Sequence, residues 1–183
     1  MNRFTMNIRP FQQHKPDIGQ RVFIDDAALV IGRVTLGDDA SVWPMSVVRG
    51  DVDRIEIGAR TNIQDNSVLH VTHYEKEFSP KGLPLIIGDD VTVGHRVTLH
   101  ACTVGNRCLI GMSSTLLDGC VIQDDVMIGA NTLVPPGKVL ESGYLYVGSP
   151  VKQVRALTEK EIKFLMYSAA HYVKLKNEHM NNH

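Results

Sequence analysis

The stretch VTVGHRVTLH, residues 91–100, places His95 and His100 five positions apart, and the segment SVLHVTH carries His70 and His73 upstream. Three neutral imidazoles around one divalent cation leave an open coordination position, which is how catalytic zinc sites are built. The spacing forbids the simplest version of such a site. On a strand, five residues send the two side chains to opposite faces. On a helix they lie far around the cylinder from each other. No local element lets His95 and His100 grip one ion within one chain, so larger elements must position them.

Those elements come from a repeat. Aliphatic residues recur every six positions at Ile24, Val30, Leu36, Val42 and Val48, then at Ile57, Ile63 and Leu69, then at Ile87, Val93 and Leu99. After a five-residue step the series resumes at Val104 and runs through Ile110, Leu116, Ile122 and Ile128 to Val134. Four positions beyond each comes a small or β-branched residue, among them Ala40, Val52, Ser67, Val97, Thr103, Cys108 and Cys120. Gly often follows the aliphatic residue directly. A six-residue period fits neither an amphipathic helix nor simple strand alternation. It fits short strands and turns wound into a parallel β-helix, with aliphatic residues inside, small ones at the corners, and Gly supplying backbone freedom nearby. The chain resembles hexapeptide-repeat proteins, which implies three hexapeptides per triangular coil and a left-handed winding.

Two breaks interrupt the phase. One is the nine-residue step from Val48 to Ile57; the other, HYEKEFSPKGLPLI over 73–86, reads as a loop thrown out from the coil. Beyond Pro135 and Pro136 the repeat fades through GYLYVGSPVKQVR, a connection. Thr158 to Glu161 then forms a capping box, and Ile162, Leu165, Met166, Ala169, Tyr172 and Val173 follow at helical spacing. The expectation is a mainly β protein of one domain over 1–183, with a left-handed parallel β-helix over 12–150 and a C-terminal α-helix over 158–180.

The repeat sets the register of the histidines. With the loop excluded, Leu69 and Leu99 end successive triplets, so His70 and His100 stack one rung apart, about 4.8 Å. Both can then reach one Zn²⁺ at about 2.0–2.1 Å. His95 lies around a corner of the triangle, roughly 10–15 Å away by chain length. Only a neighbouring subunit could add it, which makes the spacing an argument for a ring. Three unconnected surface histidines are the plainer alternative.

The runs RGD at Arg49–Asp51, NIQD at Asn62–Asp65, LH at Leu69 and His70, and GHxxxxH from Gly94 to His100 resemble the gamma-class carbonic anhydrases and their close bacterial relatives. The resemblance extends from about residue 12 through the C-terminal helix. It implies a homotrimer with a metal at each subunit interface, held by His70 and His100 of one chain and His95 of its neighbour. Zinc is the implied metal, with iron or cobalt as alternatives because imidazole suits several. The implied activity is reversible hydration of CO₂ to bicarbonate, the cation lowering the pKa of its water toward 7. By position, Arg49 and Asp51 would pair across the interface, Gln64 would hydrogen-bond solvent or bicarbonate on the metal, and Asn62 and Asp65 would support the pocket. Plainer roles stand beside these. Arg49 and Asp51 could be a solvated pair worth under about 1 kcal/mol, and Asn62 could make a turn contact. The acidic residues that shuttle protons in the best-studied type of this family are missing, since Val52 follows Asp51. His73 could replace them, or be an ordinary surface histidine, and slow turnover or none is expected. Tyr167, one helical turn from His171, could reach a neighbouring site.

Bulk properties narrow the rest. The 183 residues are 43% hydrophobic and 21% charged with net charge −1, which gives no electrostatic case for nucleic acid or an anionic membrane. The N-terminal stretch lacks a signal-peptide core, and no apolar run approaches a membrane span. Three cysteines without a CxxC suggest a reducing, cytoplasmic setting. Cys108 and Cys120 read as core, and Trp43 as packing. Two other functions compete with CO₂ hydration. One is acyl chemistry, as a hexapeptide acyltransferase or a metal-dependent thioesterase acting on acyl-CoA. The other is a non-catalytic metal-binding assembly subunit.

Overall fold

The six-residue period becomes a stack of short parallel strands, seen in a computed structural model that describes residues 7–181. Residues 1–6 and 182–183, which the single-domain expectation includes, lie outside the described residues. One face of the stack rises from Phe23–Ile24 through Ser41–Val42, Asn62–Ile63, Thr92–Val93, Leu109–Ile110 and Met127–Ile128 to Tyr144–Val147. A second runs from Val68–His70 through Thr98–His100 and Thr115–Leu116 to Leu133–Val134. A third holds Leu85–Ile87, Thr103–Val104, Val121–Ile122 and Val139–Leu140. The repeated aliphatic residues stack in register, as Ile63 on Val93 and Val93 on Ile110 do, and fill the interior.

The nine-residue step has a structural cause. Val47–Ile57 is one 11-residue strand paired along Leu29–Leu36, and both run through a corner without a turn, serving the second and third faces together. A Cβ on Gly50 would lie 2.5 Å from the Arg33 carbonyl oxygen, so glycine lets these two strands approach. Val52 therefore sits on the outside of a strand, 39% exposed, and is no corner residue. Thr103 is also exposed, because the five-residue step moves the corner to Cys102, which is buried.

The expected role of the other repeat glycines is corrected too. Most non-glycine residues with positive φ are polar, among them Asp39 (59°), Arg60 (58°), Asp90 (58°), Arg107 (53°) and Asp125 (57°). Arg21 pairs with Asp39 at 2.6 Å, Arg60 with Asp90 at 2.7 Å, and Arg107 with Asp125 at 2.7 Å, giving one corner a column of alternating charge. The glycines after the aliphatic residues instead make room for the next coil. A Cβ on Gly111 would lie 2.5 Å from the amide nitrogen of Ala130.

Two expected boundaries move, and a stretch expected to be a connection forms strands. Coil pairing begins at Ile8–Arg9, earlier than residue 12. The loop ends before Leu85, which is buried and pairs with Ile55. The segment after Gly143 is ordered: Tyr144–Val147 continues the first face, and Lys152–Ala156 returns antiparallel to it.

The helix spans Glu159–Asn181. Its capping box is formed, with the Thr158 amide donating to Glu161 Oε2 at 2.8 Å and the Glu161 amide to Thr158 Oγ1 at 3.2 Å. It lies on the first face, where the Thr92 and Ser168 hydroxyls are 2.9 Å apart. The buried stripe is Leu165, Ala169 and Lys176, whereas Ile162 and Met166, expected inside, are exposed. The helix touches the solenoid along one narrow line, so residues a third of a turn away face outward. Lys176, with no exposed side-chain surface, sets its Nζ 3.0 Å from Asp39 Oδ1. Trp43 packs against Phe23 and Tyr172 as expected. Among the described residues no helix is long and apolar enough to cross a membrane.

Candidate metal centre

The repeat delivers its predicted register: Leu99 pairs with Leu69, and His100 with His70. The two imidazoles stand at the end of the second face with Nδ1 of His70 and Nε2 of His100 3.2 Å apart. Each remaining nitrogen is committed to a carboxylate. His70 Nε2 donates to Asp51 Oδ1 at 3.0 Å, and His100 Nδ1 donates to Asp118 Oδ1 at 2.6 Å. A carboxylate only accepts, so in the neutral rings the protons sit on those nitrogens. The two nitrogens facing each other are then both lone pairs. Two lone pairs at 3.2 Å cannot bond to each other; they need a shared proton or a cation between them. Two nitrogens bound to one tetrahedral Zn²⁺ at 2.0–2.1 Å would be about 3.3 Å apart, so this donor pair fits such an ion.

Electrostatics favour the neutral, ligating form of His70. Burial pushes the His70 pKa down, and Arg49 adds to this, outweighing the opposite pull of Asp51. Burial opposes ionisation of Asp51, but hydrogen bonds from Arg49 and His70 hold its carboxyl below the usual range. Asp118 is likewise resisted by burial and held low by hydrogen bonds from Thr72 and His100. Arg49 and Asp51 pair with each other within one chain, at 2.5 Å.

His95 stands elsewhere, on the turn between Thr92–Val93 and Thr98–His100. Its Nδ1 donates to Asp65 Oδ2 at 2.7 Å, again leaving Nε2 as the free donor to a metal. Among the described residues no three His, Cys, Asp or Glu side chains converge on one ion. Beside His95 are Gln64 and Tyr167, which line the same groove under the helix. Gln64 is buried and donates from Nε2 to Asn62 Oδ1 at 3.1 Å; Asn62 Nδ2 in turn donates to Thr92 Oγ1 at 3.2 Å. Tyr167 is exposed and stacks on His171. The chain thus holds two candidate half-sites. One contains His70, His100, Arg49 and Asp51; the other contains His95, Asp65, Gln64, Asn62 and Tyr167. His73 belongs to neither, lying exposed in the loop.

Sequence reasoning missed Asp118 and Thr72, whose hydroxyl donates to Asp118 Oδ2. A signal existed, since Leu116 stacks on Leu99 and brings the next residues beside His100. All three cysteines are buried, and burial pushes the Cys108 thiol up to about 12.

Parallel coils on a six-residue period define a hexapeptide-repeat protein, and the family described as bacterial transferase hexapeptide (six repeats) matches residues 101–136. The chain is 60% identical over 174 residues to Protein YrdA of Escherichia coli, covering 95% of this chain and 94% of that one. It is 44% identical over 167 residues to a carbonic anhydrase of Geobacillus kaustophilus, covering 91% and 87%. A solved structure from Bacillus cereus, described as a putative acetyltransferase, superposes with a TM-score of 0.89 at 39% identity, covering 96% and 98%. The chain belongs to the gamma-carbonic-anhydrase-like family of hexapeptide-repeat proteins.

Proposed function

We propose that this protein is a zinc-dependent, gamma-class carbonic anhydrase-like enzyme that hydrates CO₂ reversibly at sites shared between the subunits of a homotrimer. The observation that carries the reading is the tautomer set. Each of three histidines spends one nitrogen on a carboxylate (Asp51, Asp65 or Asp118) and keeps the other free. Carboxylates behind histidine ligands fix ring orientation and raise ligand basicity. His70 and His100 of one copy would hold the ion with His95 of the next. Bound there, the divalent cation supplies Lewis acidity and makes water a competent nucleophile near neutral pH.

The chain's own residues do the rest. Gln64, fixed by Asn62, offers its amide beside His95 to hold an oxygen of bicarbonate. Arg49 holds Asp51, and through it His70. Proton export is the weak step, because the carboxylates at the pair, Asp51 and Asp118, are both engaged by the imidazoles; His73 lies three residues after His70, and turnover is slow. Metal analysis of the purified protein, combined with CO₂ hydration measured across pH, tests the reading. One zinc per chain with measurable hydration supports it, and a metal-free protein sinks it.

The relatedness to a structure called a putative acetyltransferase favours acyl transfer as a second reading. That chemistry needs one histidine as general base and no metal, so stoichiometric zinc counts against it. Zinc without CO₂ hydration or thioester hydrolysis would identify a metal-binding assembly subunit instead.

A further inference from the structure

Between the helix and the first face runs an apolar groove of about 480 Å³, lined among others by His95, Leu109, Met112, Met127, Phe164 and Tyr167. It runs from Gln64 and His95 along the two coils that follow, those of Leu109 and Met127. A three-atom substrate has no use for such a trough. On the opposite half-site, the loop after His70 carries the most exposed aromatic side chain of the described residues, Phe78 at 83%, with Tyr74 at 64%. Large exposed apolar groups of this kind mark interaction surfaces.

We propose that the loop of one copy seats Phe78 in the groove beside the neighbouring copy's His95, so that two chains wall each site. The inference rests on the shared-metal reading above. A shared ion brings His70 and His100 of one copy against the neighbour's His95. Thr72, at the foot of the loop, donates to the same Asp118 that holds His100, so the loop is anchored to the histidine pair. Asp118 lies one coil beyond His100, which ties the outgoing leg toward the later coils. The groove extends from His95 in that same direction. Copies related by rotation about an axis parallel to the solenoid stand with equal coils at equal heights, so loop and groove face each other. Reach is sufficient. The six residues from Thr72 to Phe78 span at most roughly 20 Å, and two coil rises are about 10 Å.

The test uses the full chain carrying Phe78→Cys with Met112→Cys, treated with a short bis-maleimide linker. The three native cysteines are buried, and the wild-type chain serves as the control for them. Linked dimers and trimers on a denaturing gel are expected from the double variant, and none from either single one. A second pair, Tyr74→Cys with Ala130→Cys, guards against a fault at one position. Native mass and zinc content measured on the same samples separate the possible failures. Zinc-loaded trimers that give no interchain link with either pair overturn the loop seat alone. A monomer overturns the shared site and the loop seat with it.

Discussion

At His100 the carboxylate behind the ring does as much to define a ligand as the ring itself. With Asp118 in place the proton is held on Nδ1 and Nε2 points at His70. Asp118→Ala frees the ring to change tautomer and rotate, and loss of such a partner lowers metal affinity by roughly 10- to 100-fold. Competition with a chromophoric chelator measures this, while the melting temperature should barely move. Zinc affinity unchanged in Asp118→Ala would mean that His100 does not ligate through Nε2. The stacking of His70 on His100 was legible in the sequence, because both follow aliphatic residues whose period fixes the register. The carboxylates were not equally legible. Asp51 and Asp65 sit inside recognisable runs, but Asp118 lies 46 positions from Thr72, and nothing local marks either one. The period brings the residues after Leu116 beside His100 but does not fix the direction in which their side chains leave the corner.

At the scale of the elements, the period revealed the coils and the capping box revealed the helix, but the reasons behind individual residues differed. The repeat glycines illustrate this. Gly111→Ala drives a methyl group into the backbone of the next coil, where overpacking costs about 1–3 kcal/mol. Gly137 has open space around its missing Cβ but a φ of +67°, so Gly137→Ala should cost only about 1 kcal/mol of backbone strain. Urea denaturation of the two variants should rank them in that order; equal losses would show that coil spacing is not the constraint at Gly111. The helix was legible in extent but not in its contact face, because a lysine at its centre line breaks the apolar pattern. Lys176 is buried against Asp39, which Arg21 also holds. Asp39→Ala strands the ammonium and should cost about 3 kcal/mol, whereas Lys176→Met, which removes the charge and keeps the volume, should cost far less. Hydrogen bonding from Arg21, reinforced by Lys176, holds the Asp39 carboxyl below its ordinary 3.8. The unfolded chain therefore takes up the proton first as the pH falls. This contribution is complete above about pH 5 and lost as pH drops through the depressed value. Stability measured between pH 6 and pH 3 should fall less steeply in Asp39→Ala than in the wild type.

The whole molecule is where the two candidate half-sites would meet. One copy cannot close the proposed ligand set, because His95 stands on a different corner from His70 and His100 and the described residues hold no three-ligand cluster. Head-to-tail contacts of this kind close into rings when the rotation permits. Homotrimers of His95→Ala or of His70→Ala should each be empty of zinc, since every site lacks one ligand. When equal amounts are unfolded together and reassembled, chains combine at random. A complete site then needs a His95→Ala chain, supplying His70 and His100, beside a His70→Ala chain, supplying His95. That ordered pairing occurs at about a quarter of interfaces. Zinc content, read by atomic emission after desalting, should recover to about one quarter of the wild-type value, and CO₂ hydration should follow it in proportion. If one chain supplied all three ligands, every chain in the mixture would stay defective and the zinc content would stay at zero. The ratio of the two variants adds a second check, because occupancy should vary as the product of their fractions and peak at the equal mixture. A flat dependence on the ratio would show that the ligands are not divided between chains.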